Sequence, residues 1–123
     1  MKHLLCAALC TGLLATPILA EEKPGTHFEG EPSDSLAEAV ANFSKYNQEL
    51  ADLLAKDELT RREIGEIHIL TYSLENALEK IEEDVEEMAE VLEEVHLGSE
   101  TSNVERVRSN GEIYLESART LIP

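Results

Sequence analysis

The sequence is poor in positive charge. Lys and Arg number 10 against 26 Asp and Glu, for a formal net charge of −16. Nucleic acids and anionic lipid surfaces are bound through clustered Lys and Arg, so this balance argues against both as partners. It suits cationic ones: divalent metals, polyamines or basic proteins. Solubility alone also accounts for it. Cysteine is nearly absent, and Cys6 and Cys10 both lie in the first 20 residues. Past that point there is no disulfide, thiolate metal site, cysteine nucleophile or covalent c-type haem attachment to consider. Catalytic signatures are missing too. The chain has no serine–histidine–acid order, Gly-rich phosphate loop or His-Glu-x-x-His. It is expected not to be an enzyme.

The first 20 residues have the form of a cleaved export signal. Lys2 supplies the positive start, Leu4 to Leu14 is an almost unbroken apolar run, and Pro17-Ile18-Leu19-Ala20 closes it before Glu21-Glu22. A spanning helix needs about 20 apolar residues, so the run is too short for a membrane anchor. Ile18 is larger than the small residue preferred three positions before a cut, which leaves the cleavage position open. Leu5 and Leu9 precede the cysteines where a lipoprotein signal places a small residue. The expected address is the periplasm, with no membrane attachment after cleavage. Removing residues 1–20, which hold Lys2 and no acid, takes the formal charge from −16 to −17.

Residues 21–34 carry Pro24, Gly25, Gly30 and Pro32 without a sustained period and read as an extended arm, with His27-Phe28 its one bulky point. Residues 35–123 form the helical domain. The first helix is predicted from about Leu36 to Ala55, with Ser35 and Glu38 at capping-box spacing and a stripe of Leu36, Val40, Phe43, Asn47, Leu50 and Leu54. The second is predicted from about Arg61 to Leu97, opened by Thr60 and Glu63. Its stripe is Ile64, Ile67, Thr71, Leu74, Leu78, Ile81, Val85, Met88, Leu92 and Val95, alternating three and four residues as a heptad seam does. No proline interrupts it, and Gly98 is the expected left-handed stop. The third runs from about Asn103 to Ile122, with Ser102 and Glu105 as a third capping box and a stripe of Val104, Val107, Gly111, Tyr114, Ala118 and Leu121. Gly111 on that stripe suggests close backbone approach, or else a mild local weakness.

The outer helices are each about half the length of the middle one, and short connections make both antiparallel to it. The prediction is an all-α fold: an antiparallel helical hairpin or three-helix bundle with a long central helix. Each outer helix covers half the seam and leaves part of it bare. Either the central helix bends into a compact bundle or a second chain covers the seam, as in an antiparallel homodimer.

Residues 67–77 are the least generic stretch. With Ile64 as heptad position a, His68 and Glu75 both fall on position e. His68, Thr71, Tyr72 and Glu75 then line one patch of helix surface, with Asn76 beyond. One reading is a polar face for a ligand or partner. The other is a hydrogen-bonded cluster that fixes helix register. Glu93 and His96 have the Glu-x-x-His spacing of carboxylate-bridged di-iron bundles, but a single copy requires a dimer. Otherwise His96 simply suits the helix C-terminus. Non-covalent haem is the other cofactor alternative to none. His68 and Met88 stand twenty residues apart on one helix, so only an antiparallel dimer brings them together.

Between Glu79 and Glu94 stand nine acids against Lys80 alone. Five of the acidic pairs are spaced i,i+4, and together they cost about 1–2.5 kcal/mol when exposed. Arg106, Arg108 and Arg119 of the third helix are placed to offset some of this. The stretch is either a solvated face or a weak surface for divalent cations or a basic partner. It is no EF-hand, because no loop supplies the oxygen ligands in order.

The segments His27-Phe28-Glu29-Gly30, Ala39 to Asn47, Ile67-His68 through Ile81, and Leu92-Glu93-Glu94-Val95-His96 resemble a family of small exported bacterial proteins of unknown function. The likeness covers nearly all of the chain past the leader. It implies a Gram-negative, periplasmic setting, and supplies no activity and no functional residue.

Overall fold

A computed structural model describes residues 28–122. The leader expected at 1–20, the first part of the arm and His27 lie outside the described residues. Three helices follow the remainder of the arm: α1, Leu36–Leu54; α2, Arg61–Glu100; and α3, Val104–Leu121. At 1.5 Å per residue, the 40 residues of α2 extend about 60 Å. Both shorter helices pack on α2, and α1 also touches α3. This is the all-α bundle on a long central helix that the periodicity predicts.

The helix starts follow from local chemistry. Ser35 caps α1 by accepting from the Glu38 amide at 3.3 Å, while the Glu38 carboxylate takes the amide of Asp34 rather than that of Ser35. At α2 the capping box is complete, with Thr60 and Glu63 each accepting from the other's backbone amide. The third expected box does not form. Asn103, not Ser102, caps α3, accepting from the Arg106 amide at 3.1 Å.

Ser102 instead ends α2. The helix runs three residues past Leu97, with Gly98 inside it and Thr101 as its C-cap. Ser102 takes the left-handed conformation (φ 55°) expected of Gly98. Its amide donates to Ser99 O, and the next amide, of Asn103, donates to Gly98 O at 2.9 Å. These two bonds are a Schellman stop with serine in the place usually held by glycine. Gly98 serves packing: a Cβ there would lie 3.0–3.2 Å from Val107 and Arg106. Gly111, the expected close-approach position, has nothing within 4 Å of where its Cβ would lie.

The core sits around the middle of α2. Leu36 and Ala39 of α1 are buried, as are Leu70, Ser73, Leu74 and Ala77 of α2. On the heptad wheel, α2 turns its d row and the neighbouring g row inward. The d row includes Ile67, Leu74, Ile81, Met88 and Val95; the g row includes Leu70, Ala77 and Gly98. The a row stays outside. Ile64 is 53% exposed, Leu78 48%, Val85 42% and Leu92 45%. Half of the predicted seam therefore faces solvent.

Candidate functional site

The exposed side of α2 carries the polar residues singled out by the sequence. His68 and Tyr72, one turn apart, meet edge to face with ring centroids 5.2 Å apart, and the Tyr72 hydroxyl lies 3.3 Å from His68 Nε2. Thr71 does not join them. Its hydroxyl donates to the His68 carbonyl at 2.8 Å, a bond internal to the helix. Glu75 is exposed one turn beyond, as is His68. The face is open to solvent along the His68–Glu75 edge.

Its other edge is occupied by the arm. Phe28 packs against Tyr72, centroids 6.3 Å apart. Asn76 donates to the carbonyls of Glu29 (2.8 Å) and Glu31 (3.0 Å), and the Glu31 amide donates to the Ser73 hydroxyl at 2.9 Å. Gly30 sits between them at φ 70°, where a Cβ would lie 2.7 Å from the Tyr72 carbonyl carbon. Only glycine allows this approach. Ser73 was not among the predicted site residues, and Asn76 was noted only as a neighbour. A clasp to an aperiodic arm leaves no pattern in the sequence.

The second pair behaves differently. His96 Nε2 lies 3.4 Å from Glu100 Oε1, one turn on, and Glu93 is exposed. Among the described residues, no three His, Cys, Asp or Glu side chains converge as a metal ligand set.

The acidic stretch is partly neutralised. Lys80 pairs with Glu83 (2.8 Å) and Asp84 (3.2 Å), and these bonds, Glu83's first, raise its pKa above the usual lysine value. Arg106 of α3 reaches Glu94 at 2.6 Å. Among the described residues, Arg108 and Arg119 make no such pair. Next to the exposed apolar row, Glu75 and Glu82 remain exposed, and Glu79, Glu86 and Glu93 lie on the row beyond. At the opposite end, Lys56 bonds Glu63 at 2.5 Å. That bond, with the amide and hydroxyl of Thr60, holds the Glu63 carboxyl at about 2.

Fold and site together define a small acidic protein whose described residues form three helices, with a long apolar row left open beside carboxylates. The chain belongs to the family described as "Family of unknown function (DUF6746)", whose model matches residues 1–123. No curated protein and no solved structure matches it.

Proposed function

We propose that this is an exported, periplasmic, non-enzymatic interaction protein, and that the exposed side of α2 is its partner face. The observation that carries the reading is the open row Ile64, Leu78, Val85 and Leu92, each more than two-fifths exposed. From first to last it extends about 42 Å along the helix, interrupted by the half-buried Thr71 between Ile64 and Leu78. Apolar rows of this length, rimmed by polar groups, mark interaction surfaces in soluble proteins. His68 and Glu75, with the outward acids beyond them, form the rim.

Charge selects the partner. Complementary potentials steer association, and like charges brought together across an interface are unfavourable. A basic amphipathic helix satisfies both the apolar row and its acidic rim.

A second reading has its own observation. The row is symmetric about Leu78, with Ile64 and Leu92 fourteen residues to either side. An antiparallel second copy therefore meets it in register, although it brings Glu75 close to the partner's Glu82, and Glu82 close to the partner's Glu75. Metal or haem carriage depends on that dimer, because His68, Met88 and His96 all stand on one helix.

A photo-crosslinking residue at Val85 in the producing cell tests the proposal, with Glu90 on the outward side as control. The expected product is an adduct with a basic protein at position 85 and none at 90. A self-adduct favours the antiparallel dimer. Equal or absent adducts at the two positions contradict a partner face on this row.

A further inference from the structure

A second site lies away from the a row, where the arm, the end of α1 and the start of α2 enclose a groove of about 520 Å³. Its walls are apolar and aromatic: Tyr46 and Leu53 from α1, Ile69 and Leu70 from α2. Four carboxylates also line it: Glu31 from the arm, Glu49 and Asp52 from α1, and Glu66 from α2. Among the described residues, no lysine or arginine lines it. The volume falls within the range of small-molecule sites, about 300–1,000 Å³.

The carboxylates are not all spent on internal partners. Arg62 holds Glu66 at 2.9 Å, and the Gln48 amide donates to Asp52 at 2.8 Å. Among the described residues, Glu31 and Glu49 are in no salt bridge, although both, after the Tyr46 hydroxyl, raise the pKa of the Lys45 ammonium. The Tyr46 ring already carries a cation, with the Lys45 ammonium 4.5 Å from its centroid. An ammonium over an aromatic face is an attractive arrangement.

We propose that this groove binds a small organic amine: a primary ammonium carried on an apolar or aromatic body. An anion is refused by the carboxylates. A compact divalent ion is poorly served, since the acids come from three separate segments and do not converge into a ligand set. An ammonium needs no chelation and gains from a field spread over several carboxylates. Its apolar body gains from covering Ile69, which is 46% exposed. The proposal is independent of the α2 partner row, since the groove uses none of that row's residues.

The test is a titration of the purified, isotope-labelled protein with phenethylammonium, followed by amide chemical shifts. Neutral 2-phenylethanol and anionic 3-phenylpropionate are run beside it. The ammonium is expected to shift the amides of Glu49, Leu53 and Ser73 saturably, with a Kd of about 1 mM, and the other two to leave them in place. Glu49→Gln with Asp52→Asn, both at exposed helix positions, should weaken binding about threefold or more at unchanged helical circular dichroism. Leu78→Glu should leave it unchanged. No saturation by about 10 mM, equal affinity for the alcohol, or an unaffected double variant overturns the proposal.

Discussion

The backbone amide of Glu31 donates to the hydroxyl of Ser73, 42 residues later in the chain, at 2.9 Å. With Asn76 bonding the carbonyls on either side of Gly30, this clasp holds the arm on α2. It depends on a glycine at φ 70°. An added Cβ at position 30 meets backbone atoms at 2.7 and 2.8 Å, which a side-chain shift cannot relieve. Gly30→Ala is therefore expected to release the arm while the helices persist. The Glu31 amide should lose its protection from hydrogen exchange, with unchanged helical circular dichroism. A protected Glu31 amide in the variant contradicts the clasp.

The end of α2 stores strain that glycine relieves. Ser102 holds φ 55°, a conformation that costs an L-residue about 1–2 kcal/mol. Glycine adopts it freely but loses more backbone freedom on folding. Ser102→Gly is expected to stabilise the protein by about 0.5–1 kcal/mol, read from the urea midpoint. A loss of stability would show that the serine hydroxyl contributes more than its backbone costs.

Two helical glycines predict opposite outcomes. Gly111 has no neighbour within 4 Å of its absent Cβ, so Gly111→Ala should stabilise by roughly the helix-propensity difference, about 1 kcal/mol. Gly98 faces Val107 and Arg106 at 3.0–3.2 Å. Gly98→Val adds a branched side chain where the backbones of α2 and α3 nearly touch, and should destabilise by about 1–3 kcal/mol. Thermal melts of the pair decide it.

Glu63 gives a pH signature. Its carboxyl titrates at about 2 in the folded chain against 4.5 ordinarily, first through Lys56 and then through Thr60. Between those values the unfolded chain binds more protons, so the Glu63 contribution is complete above about pH 4.5 and fades as pH falls toward 2. Protonation of the acidic stretch relieves repulsion and acts in the opposite direction. The informative quantity is thus wild type minus Glu63→Gln. That stability difference should be largest near neutral pH and shrink steadily from pH 4.5 to 2. A pH-independent difference would mean that Glu63 acts only as a helix cap.

The three helices were legible because capping residues and a three-four apolar alternation are local. Ser35 and Thr60 sit one residue before their helices, as their spacing to Glu38 and Glu63 requires. The rotation of α2 was not legible. An a/d pattern names two rows, but the helix buries d and g. The small residues that allow this, Ala77 and Gly98, lie seven and twenty-eight residues after Leu70 on the same row; Ala77 carries no seam signal, and Gly98 reads as a helix stop. Ser102 taking the left-handed turn also ran against propensity, because Gly98 was needed for packing. Of the site, His68 and Tyr72 do meet, as four-residue spacing requires. The roles of Ser73 and Asn76 depend on an arm without period, and the amine groove depends on three segments distant in sequence.

The proposed partner face requires that the a row of α2 be uncovered in the folded protein. Residues 21–123 hold no cysteine, so in that segment a single introduced thiol reports its own exposure without background. Maleimide labelling rates of Leu78→Cys, Val85→Cys and Leu92→Cys are compared with those of Leu74→Cys and Ala77→Cys at micromolar protein. Near-free reaction is expected at 78, 85 and 92, and strong protection at 74 and 77. Protection at 78 and 85 equal to that at 74 would contradict it, and protection that disappears on dilution would identify the cover as a second copy of the chain.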